Sequence, residues 1–198
     1  MLPGDPPLLV TSLGALTSCI TPNPVVALHS SPRRPYAAAD YRTVLARWTR
    51  HQAITVLREL GTTLRVYATL RAPDFDAAYL ARWSAIFHLA ASERQQLAQE
   101  LAAQHAQSYS FFVVAAAHDR DWNDFDRPRS QWRLALLNDR GDQVRAGRIV
   151  RERRTSTADR AMLPHLGTFY ELYRVEFPRT LPDGRALVRA ETRALLLS

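Results

Sequence analysis

The sequence predicts an α+β protein that is mainly β, built as a seven-stranded immunoglobulin-like β-sandwich with an inserted helical hairpin. Two observations support this fold class. Short segments in which apolar and polar residues alternate, bounded by turn residues, occur twice before residue 71 and five times after residue 107. Between them, residues 74–107 carry apolar side chains at helical spacing instead. With 198 residues, of which 46% are hydrophobic, the chain is long enough for one domain with its own core.

The predicted domain begins with one short helix and two strands. The helix, at the domain edge, is indicated by apolar side chains that recur every three or four residues: Tyr41, Val44, Leu45 and Trp48. An alternating pattern starts at His51 and is broken at Gly61. A second alternating segment then runs from Leu64 to Leu70. These two segments are predicted to pair as antiparallel strands.

The inserted hairpin consists of two predicted helices within residues 74–107. Asp74 follows a proline and supplies a helix N-cap. One aromatic and aliphatic stripe at helical spacing follows, which is typical of packing against a sheet: Phe75, Tyr79, Trp83 and Ile86. Ser92 and Gln95 fit a capping box, so the second helix is predicted over residues 93–107.

Five strands are predicted after the hairpin. Residues 109–117 are almost continuously apolar, which indicates a central strand that is buried on both faces. Residues 132–136 and 144–150 flank an Asn-Asp-Arg-Gly turn and are predicted to form a hairpin. Residues 173–177 are predicted as a strand, a Pro-Asp-Gly turn follows, and residues 186–197 are predicted as the last strand.

The single cysteine lies at the end of a short apolar stretch, in the segment Leu16-Thr17-Ser18-Cys19. This segment resembles the lipobox of bacterial lipoproteins, whose cysteine becomes the lipid-modified first residue of the mature protein. The resemblance implies lipidation of Cys19 and a signal-like segment over residues 1–19. Residues 20–38 are rich in proline and predict a tether, followed by the domain over residues 39–198. The alternative is an apolar loop or first strand with a buried or free thiol.

Three tryptophan-containing segments extend the resemblance to uncharacterised exported lipoproteins of bacteria. They are Trp48-Thr49-Arg50, Trp122-Asn123-Asp124 and Trp132-Arg133-Leu134, the last followed by a turn at 138–141. The resemblance implies a cell-envelope address and no particular activity. Ile20 stands where an aspartate would resemble an inner-membrane retention signal, so an outer-membrane lipoprotein facing the periplasm is implied. Its expected partners are the membrane, through the lipid anchor, and a further envelope protein.

The composition excludes several classes of site. All 26 basic residues are arginine, so the chain has no phosphate-loop lysine and no Schiff-base lysine. One cysteine allows neither an intrachain disulfide nor a multi-cysteine zinc site. There is no nucleophile elbow, no His-Glu-x-x-His metal pair and no dinucleotide-binding glycine pattern. The expectation is a protein without a cofactor and without catalytic residues.

A polar cluster after the predicted central strand is the candidate metal site. Asp119, Asp121 and Asn123 match the first three ligand positions of an EF-hand loop, and His118 is a further possible ligand. The turn glycine and the bidentate glutamate that complete an EF-hand are absent. The alternative is a solvated loop whose carboxylates pair with neighbouring arginines.

The sequence also contains a basic stretch, formed by Arg145, Arg148, Arg151, Arg153 and Arg154. Such a stretch favours weak contact with an anionic surface, chiefly that of a membrane. Specific nucleic-acid binding is not expected, because no aromatic residues are interleaved with the arginines. The alternative is a charged strand that discourages edge-to-edge aggregation.

The leading functional hypothesis is therefore a non-enzymatic, lipid-anchored cell-envelope protein that acts as a structural or interaction module. One alternative is a metal-binding protein or metal-dependent enzyme that uses the loop from His118 to Asp126. Another is a soluble polyanion-binding domain.

Overall fold

A computed structural model of the chain describes residues 34–56 and 61–198. The signal-like segment, Cys19 and most of the predicted tether lie outside the described residues. The end of the tether is described. There the hydroxyl of Tyr36 donates a hydrogen bond of 2.5 Å to the carboxylate of Asp74, so the chain already contacts the domain before residue 39.

The described residues form eight strands and four α-helices. The strands are β1 (Thr49–Val56), β2 (Gly61–Leu70), β3 (Ser108–Ala117), β4 (Ala135–Asn138), β5 (Gln143–Arg145), β6 (Arg148–Arg151), β7 (Glu171–Pro178) and β8 (Leu195–Leu197). The helices are α1 (Tyr41–Trp48), α2 (Pro73–Phe87), α3 (Ala91–Gln107) and α4 (Thr157–Met162).

The strands form two antiparallel sheets. The large sheet has the order β1-β2-β3-β7-β6, with β3 at its centre, and the small sheet has the order β5-β4-β8. The chain passes from the small sheet to the large sheet at Ala146 and Gly147. The Ala146 N–H donates to the Leu134 carbonyl beside the small sheet, and the Gly147 N–H donates to the Glu176 carbonyl on β7. These bonds split the predicted strand 144–150 into β5 and β6.

Helices cover one face of the large sheet, and alternation along β3 shows how this core forms. Phe112 and Val114 point into a cluster built with α1, α2 and α4. Phe75 on α2 is completely buried at its centre. The hydroxyl of Tyr41 donates a 2.7 Å hydrogen bond to the carbonyl of Met162, which ties α1 to α4.

The small sheet packs on the opposite face of the large sheet. Phe111 and Val113 on β3 point into this second core, where they meet Val175 and Phe177 on β7. Leu136 on β4 is completely buried among them. The architecture is therefore three layers: helices, the large sheet and the small sheet.

The structure confirms an α+β fold with two antiparallel sheets and an inserted helical hairpin, and it confirms 109–117 as the central strand. The immunoglobulin-like arrangement is not confirmed. An immunoglobulin-like sandwich distributes its strands between two sheets around one core. Here β1, β2 and β3 are successive neighbours in one sheet, and the helices close a second core on its outer face.

Three local predictions were wrong. Asp74 is not an N-cap: Ala72 occupies that position and Pro73 begins α2. Ser92 and Gln95 do not cap α3, because Ala90 is its N-cap and the Glu93 carboxylate accepts the Ala90 N–H at 2.8 Å. The last strand is confined to β8, since much of the preceding segment is loop. No helix among the described residues is both long enough and apolar enough to cross a membrane.

Candidate functional site

A cleft of about 850 Å³ lies between the two sheets, over the half of the large sheet formed by β1, β2 and β3. It exists because the small sheet packs mainly over β3 and β7 and does not seal the face of β2. Val66 and Ala68 on β2 consequently remain partly exposed, whereas Val113 on β3 is 1% exposed.

Alternate residues of two strands form the floor of the cleft. On β2 they are Leu64, Val66, Ala68 and Leu70, and on β3 they are Phe111 and Val113. Successive side chains of a strand point to opposite faces, so the alternation in the sequence becomes a continuous apolar stripe in the fold. This stripe runs along the strands and is the apolar part of the site.

The walls of the cleft are apolar and partly exposed. The ring of Trp132 stacks on that of Phe125 at 5.6 Å between centroids and forms one wall with β8. Two large aliphatic side chains at the mouth, Ile54 on β1 and Leu196 on β8, are 43% and 62% exposed. Exposed apolar residues that adjoin an apolar cleft are typical of a binding site.

The polar lining includes four arginines, Arg47, Arg50, Arg133 and Arg193, together with His51, Gln52 and Ser198. Among the residues that the structure describes, no aspartate or glutamate side chain lines the cleft. Arg47 lies 3.4 Å from the Asp74 carboxylate, and Arg133 donates from Nη1 to the carbonyls of Ser130 and Trp132. The cleft therefore combines an apolar interior with fixed positive charge, a combination suited to binding an amphiphile.

Asp74 positions one end of the cleft. Its carboxylate is 2% exposed and accepts a hydrogen bond of 2.9 Å from the Trp48 indole and one of 2.5 Å from Tyr36. Burial, reinforced by the Asp74 carboxylate, raises the pKa of Tyr36, so this phenol stays protonated and donates. The same carboxylate faces the guanidinium of Arg47. Asp74 thus holds two residues of the cleft, Trp48 and Arg47, in position. The prediction of Asp74 as an N-cap did not include this role.

A second cavity of about 200 Å³ adjoins the cleft, and Leu70 and Leu195 line both. Its polar lining includes Tyr109 and Arg179, whose guanidinium lies 4.5 Å from the centre of the Tyr109 ring. Burial raises the pKa of Tyr109, and the charge of Arg179 opposes this rise. The Tyr109 side chain therefore contributes a neutral phenol beside a cation.

A buried polar network supports this second cavity. Arg71 and Asp76 form a two-pronged ion pair, with both nitrogen–oxygen distances at 3.1 Å. His105 Nε2 lies 3.0 Å from Asp76 Oδ2, although not in hydrogen-bond geometry. Gln104 bridges Arg71 to Glu176 on β7 through two bonds of 3.3 Å. The network joins α2 and α3 to the large sheet and holds the end of the cleft in place.

The predicted metal ligands are not brought together. The Asp119 carboxylate accepts the Asp121 N–H at 2.9 Å and so closes its own turn. Asn123 is buried, with its amide nitrogen on the Ala115 carbonyl and its side-chain oxygen accepting from Tyr173. His118 is exposed at the end of β3. Across residues 34–56 and 61–198, no cluster of three or more His, Cys, Asp or Glu side chains is suited to holding a metal ion.

The predicted basic stretch is divided between the two sheets. Arg145 lies on β5 at an edge of the small sheet, whereas Arg148 and Arg151 lie on β6 at an edge of the large sheet. The two arginines of β6 pair with glutamates of β7. Arg153 and Arg154 are exposed beyond β6. The five arginines therefore do not form one continuous strip along a single strand.

Comparison with known proteins adds no relative. No protein-family model matches the chain, and no curated protein or solved structure matches it either. Sequence reasoning missed the cleft, although one signal was present: the apolar alternation from Leu64 to Leu70.

Proposed function

We propose that this protein is a non-enzymatic, lipid-anchored protein of the bacterial cell envelope whose domain binds an apolar ligand in the cleft between its sheets. One observation carries the binding role: a volume of about 850 Å³ with an aliphatic floor and exposed aliphatic residues at its mouth. Ligand sites commonly occupy about 300–1,000 Å³ and are lined mostly by apolar side chains.

The energetics favour occupation of this cleft. Removing apolar surface from water contributes about 25 cal/mol per Å², and a ligand along the floor covers side chains of both sheets at once. The floor is also held rigidly, because β2 pairs along its length with β1 and β3. A preformed site avoids much of the ordering cost of binding.

The anchor is proposed from the sequence. The lipobox-like segment ending at Cys19 supports acylation, and the proline-rich residues 20–38 provide a spacer between the bilayer and the domain. A binding module held in this way samples ligands close to the membrane surface. The membrane is then one partner of the protein, through the lipid anchor. A further envelope protein is the second proposed partner and binds the domain with or without its ligand.

Titration with N-phenyl-1-naphthylamine, a neutral apolar fluorophore, tests the cleft. The wild type should show a fluorescence increase, and Ala68→Trp, which places a large ring on the floor, should abolish it. Ala53→Trp is the matched control, since Ala53 lies on the neighbouring strand β1, is exposed and does not line the cleft. Loss of binding in both variants, or in neither, would contradict a site between the sheets.

Detergent partition tests the anchor. Expressed in a bacterial host with lipoprotein processing, the full-length wild type should enter the detergent phase, and Cys19→Ser should remain in the aqueous phase. Aqueous partition of the wild type would remove lipidation from the proposal and leave the cleft unaffected.

A further inference from the structure

Strand β8 borders the cleft and has one edge without a partner strand. It lies at the end of the small sheet and pairs with β4 alone among the described strands. All three residues of β8 line the cleft, whereas no residue of β4 or β5 does. The unpaired edge of β8 therefore faces the part of β2 that the small sheet leaves uncovered.

The pairing of β8 shows which backbone groups face this gap. Ala135 and Ser198 exchange both of their backbone hydrogen bonds, at 2.8 and 2.9 Å. In an antiparallel pair, residues bonded in this way alternate with residues whose N–H and C=O groups point away from the partner strand. In the register of β4 and β8, Leu197 and Leu195 are the residues that point away from β4. Each of them offers a donor and an acceptor to a further strand.

The floor of the cleft has the length and the apolar surface to support such a strand. From Leu64 to Leu70, at about 3.3 Å per residue, it extends for about 20 Å, the length of a strand of about six residues. A strand beside β8 lies over β2, where Val66 and Ala68 are partly exposed. Its alternate side chains then cover these two residues.

Positive charges lie at both ends of the cleft. Since β4 and β8 run antiparallel, with Ala135 opposite Ser198, Arg133 before β4 and Arg193 before β8 lie at opposite ends. Neither arginine forms an ion pair with a carboxylate within the described part of the chain. An extended ligand with an acidic group near each end matches this arrangement, and a ligand with one compact headgroup does not.

We propose that the cleft binds an extended peptide segment of a partner protein, which adds to the free edge of β8 as a further strand of the small sheet. This inference rests on the proposed function, since it names the ligand of the same cleft. The segment directs apolar side chains to the floor at alternate positions and carries acidic residues at its two ends. Backbone hydrogen bonds to β8 supply affinity, and the floor selects the alternate side chains.

Displacement of N-phenyl-1-naphthylamine from the full chain tests the proposal. The probe is the peptide acetyl-Glu-Val-Thr-Val-Thr-Val-Glu-amide, whose extended length is about 23 Å. It should displace the fluorophore, and the same peptide with glutamine at both ends should bind several-fold more weakly. Equal affinity of the two peptides would contradict the role of the arginines.

Two N-methylated analogues of the peptide test the backbone bonds. Along a strand, residues on one face direct their N–H groups to one edge, and residues on the other face direct theirs to the opposite edge. One analogue is methylated at every valine nitrogen and the other at every threonine nitrogen, so only one of them loses the donors that face β8. That analogue should bind about tenfold more weakly, and the other should stay within about threefold of the parent. An unchanged affinity in both analogues, or an equal loss in both, would overturn strand addition.

Leu197→Pro tests the same edge from the protein side. It removes an N–H that points away from β4, whereas the matched control Leu197→Ala shortens the same side chain and keeps that N–H. The proline variant should bind the peptide about fivefold more weakly than the alanine variant, with equal affinity for the fluorophore. Equal peptide affinity would contradict bonding to β8. The methylated analogues test this edge in the wild type if the proline variant does not fold.

The outcomes distinguish the inference from the proposed function. Fluorophore binding without displacement by the peptide would overturn the inference and leave an apolar site intact. Displacement by dodecanoate and not by the peptide would assign the cleft to a lipid. Failure of the fluorophore itself to bind would overturn the proposed function together with the inference.

Discussion

The two faces of the large sheet are covered to different extents. On one face, α1, α2 and α4 seal a core with several completely buried side chains. On the other, the three short strands of the small sheet leave part of β2 uncovered. The helix side is thus the sealed face, and the side that carries the cleft is the open face, although the small sheet closes a buried core of its own there.

Strand β2 shows the contrast within one element. Its side chains toward the helices include Arg65 and Tyr67, and the Tyr67 ring stacks on His165 at 4.7 Å. Its aliphatic side chains, including Val66 and Ala68, point toward the less covered face. A strand selected only for core packing would place its aliphatic residues under the more complete layer. The aliphatic residues of β2 therefore face the cleft, whereas Arg65 and Tyr67 face the helix side.

The largest expected effect is on the sealed face. Phe75→Ala removes a ring that is completely buried and lies 6.0 Å from both Tyr41 and Tyr79, centroid to centroid. The free energy of unfolding should fall by about 4 kcal/mol, because the variant loses transfer energy and leaves a cavity. Urea denaturation followed by circular dichroism measures this loss. A change below about 1 kcal/mol would show that the helices do not form a core with the sheet.

The sequence predicted most elements on both faces and missed what covers them. The helical spacing from Tyr41 to Trp48 gives α1 with its observed bounds, because each of its apolar residues packs inward. The periodicity of apolar residues identifies which residues share a face. It does not identify which distant segment packs over that face. The cleft depends on such a distant contact, the pairing of β8 with β4.

Two other failures have local causes. Residues 144–150 were predicted as one strand, although the hydrogen bonds of Ala146 and Gly147 go to two different sheets. A signal was present at Gly147 and Arg148, where the alternation of apolar and polar residues changes phase. Helix α4 was not predicted because it has only six residues. Its signal was present in the chain: Ser156 and Asp159 form a capping box, with the Asp159 N–H donating to the Ser156 hydroxyl at 3.1 Å.

A matched pair of smaller substitutions compares the faces directly. Val114→Ala, on the helix side of β3, removes a side chain that is 1% exposed and should cost about 2–3 kcal/mol in the free energy of unfolding. Val66→Ala, on the cleft side of β2, removes a partly exposed side chain and should cost about 1 kcal/mol or less.

For ligand binding, the order of the two variants should be reversed, with the larger loss in Val66→Ala. Val66→Ala should weaken binding of N-phenyl-1-naphthylamine several-fold, since it removes part of the floor, and Val114→Ala should leave binding unchanged in the folded protein. Denaturant midpoints and fluorophore titrations on the same samples give both quantities. Equal stability losses with equal binding losses would contradict the division between a sealed face and an open one.

The smallest expected effect is the pH dependence contributed by His165 on the helix side. Its half-buried ring stacks on Tyr67, and burial together with the nearby His51 lowers the pKa of His165 below its ordinary value of 6.5. Below that pH the unfolded chain binds a proton that the folded protein resists, so stability should fall as the pH drops from 7.5 toward 5.5. One proton contributes at most about 1.4 kcal/mol per pH unit, and partial exposure of the ring reduces this slope.

His165→Phe preserves an aromatic ring for the stack and removes the titrating group. Its free energy of unfolding should vary less with pH than that of the wild type over the same interval, as measured by urea denaturation at each pH. His118→Phe is the control, because His118 is exposed at the end of β3 and outside the helix layer. If His118→Phe flattened the profile as much as His165→Phe, the pH dependence would not arise from burial on the sealed face, and the two faces would not differ in their response to acid.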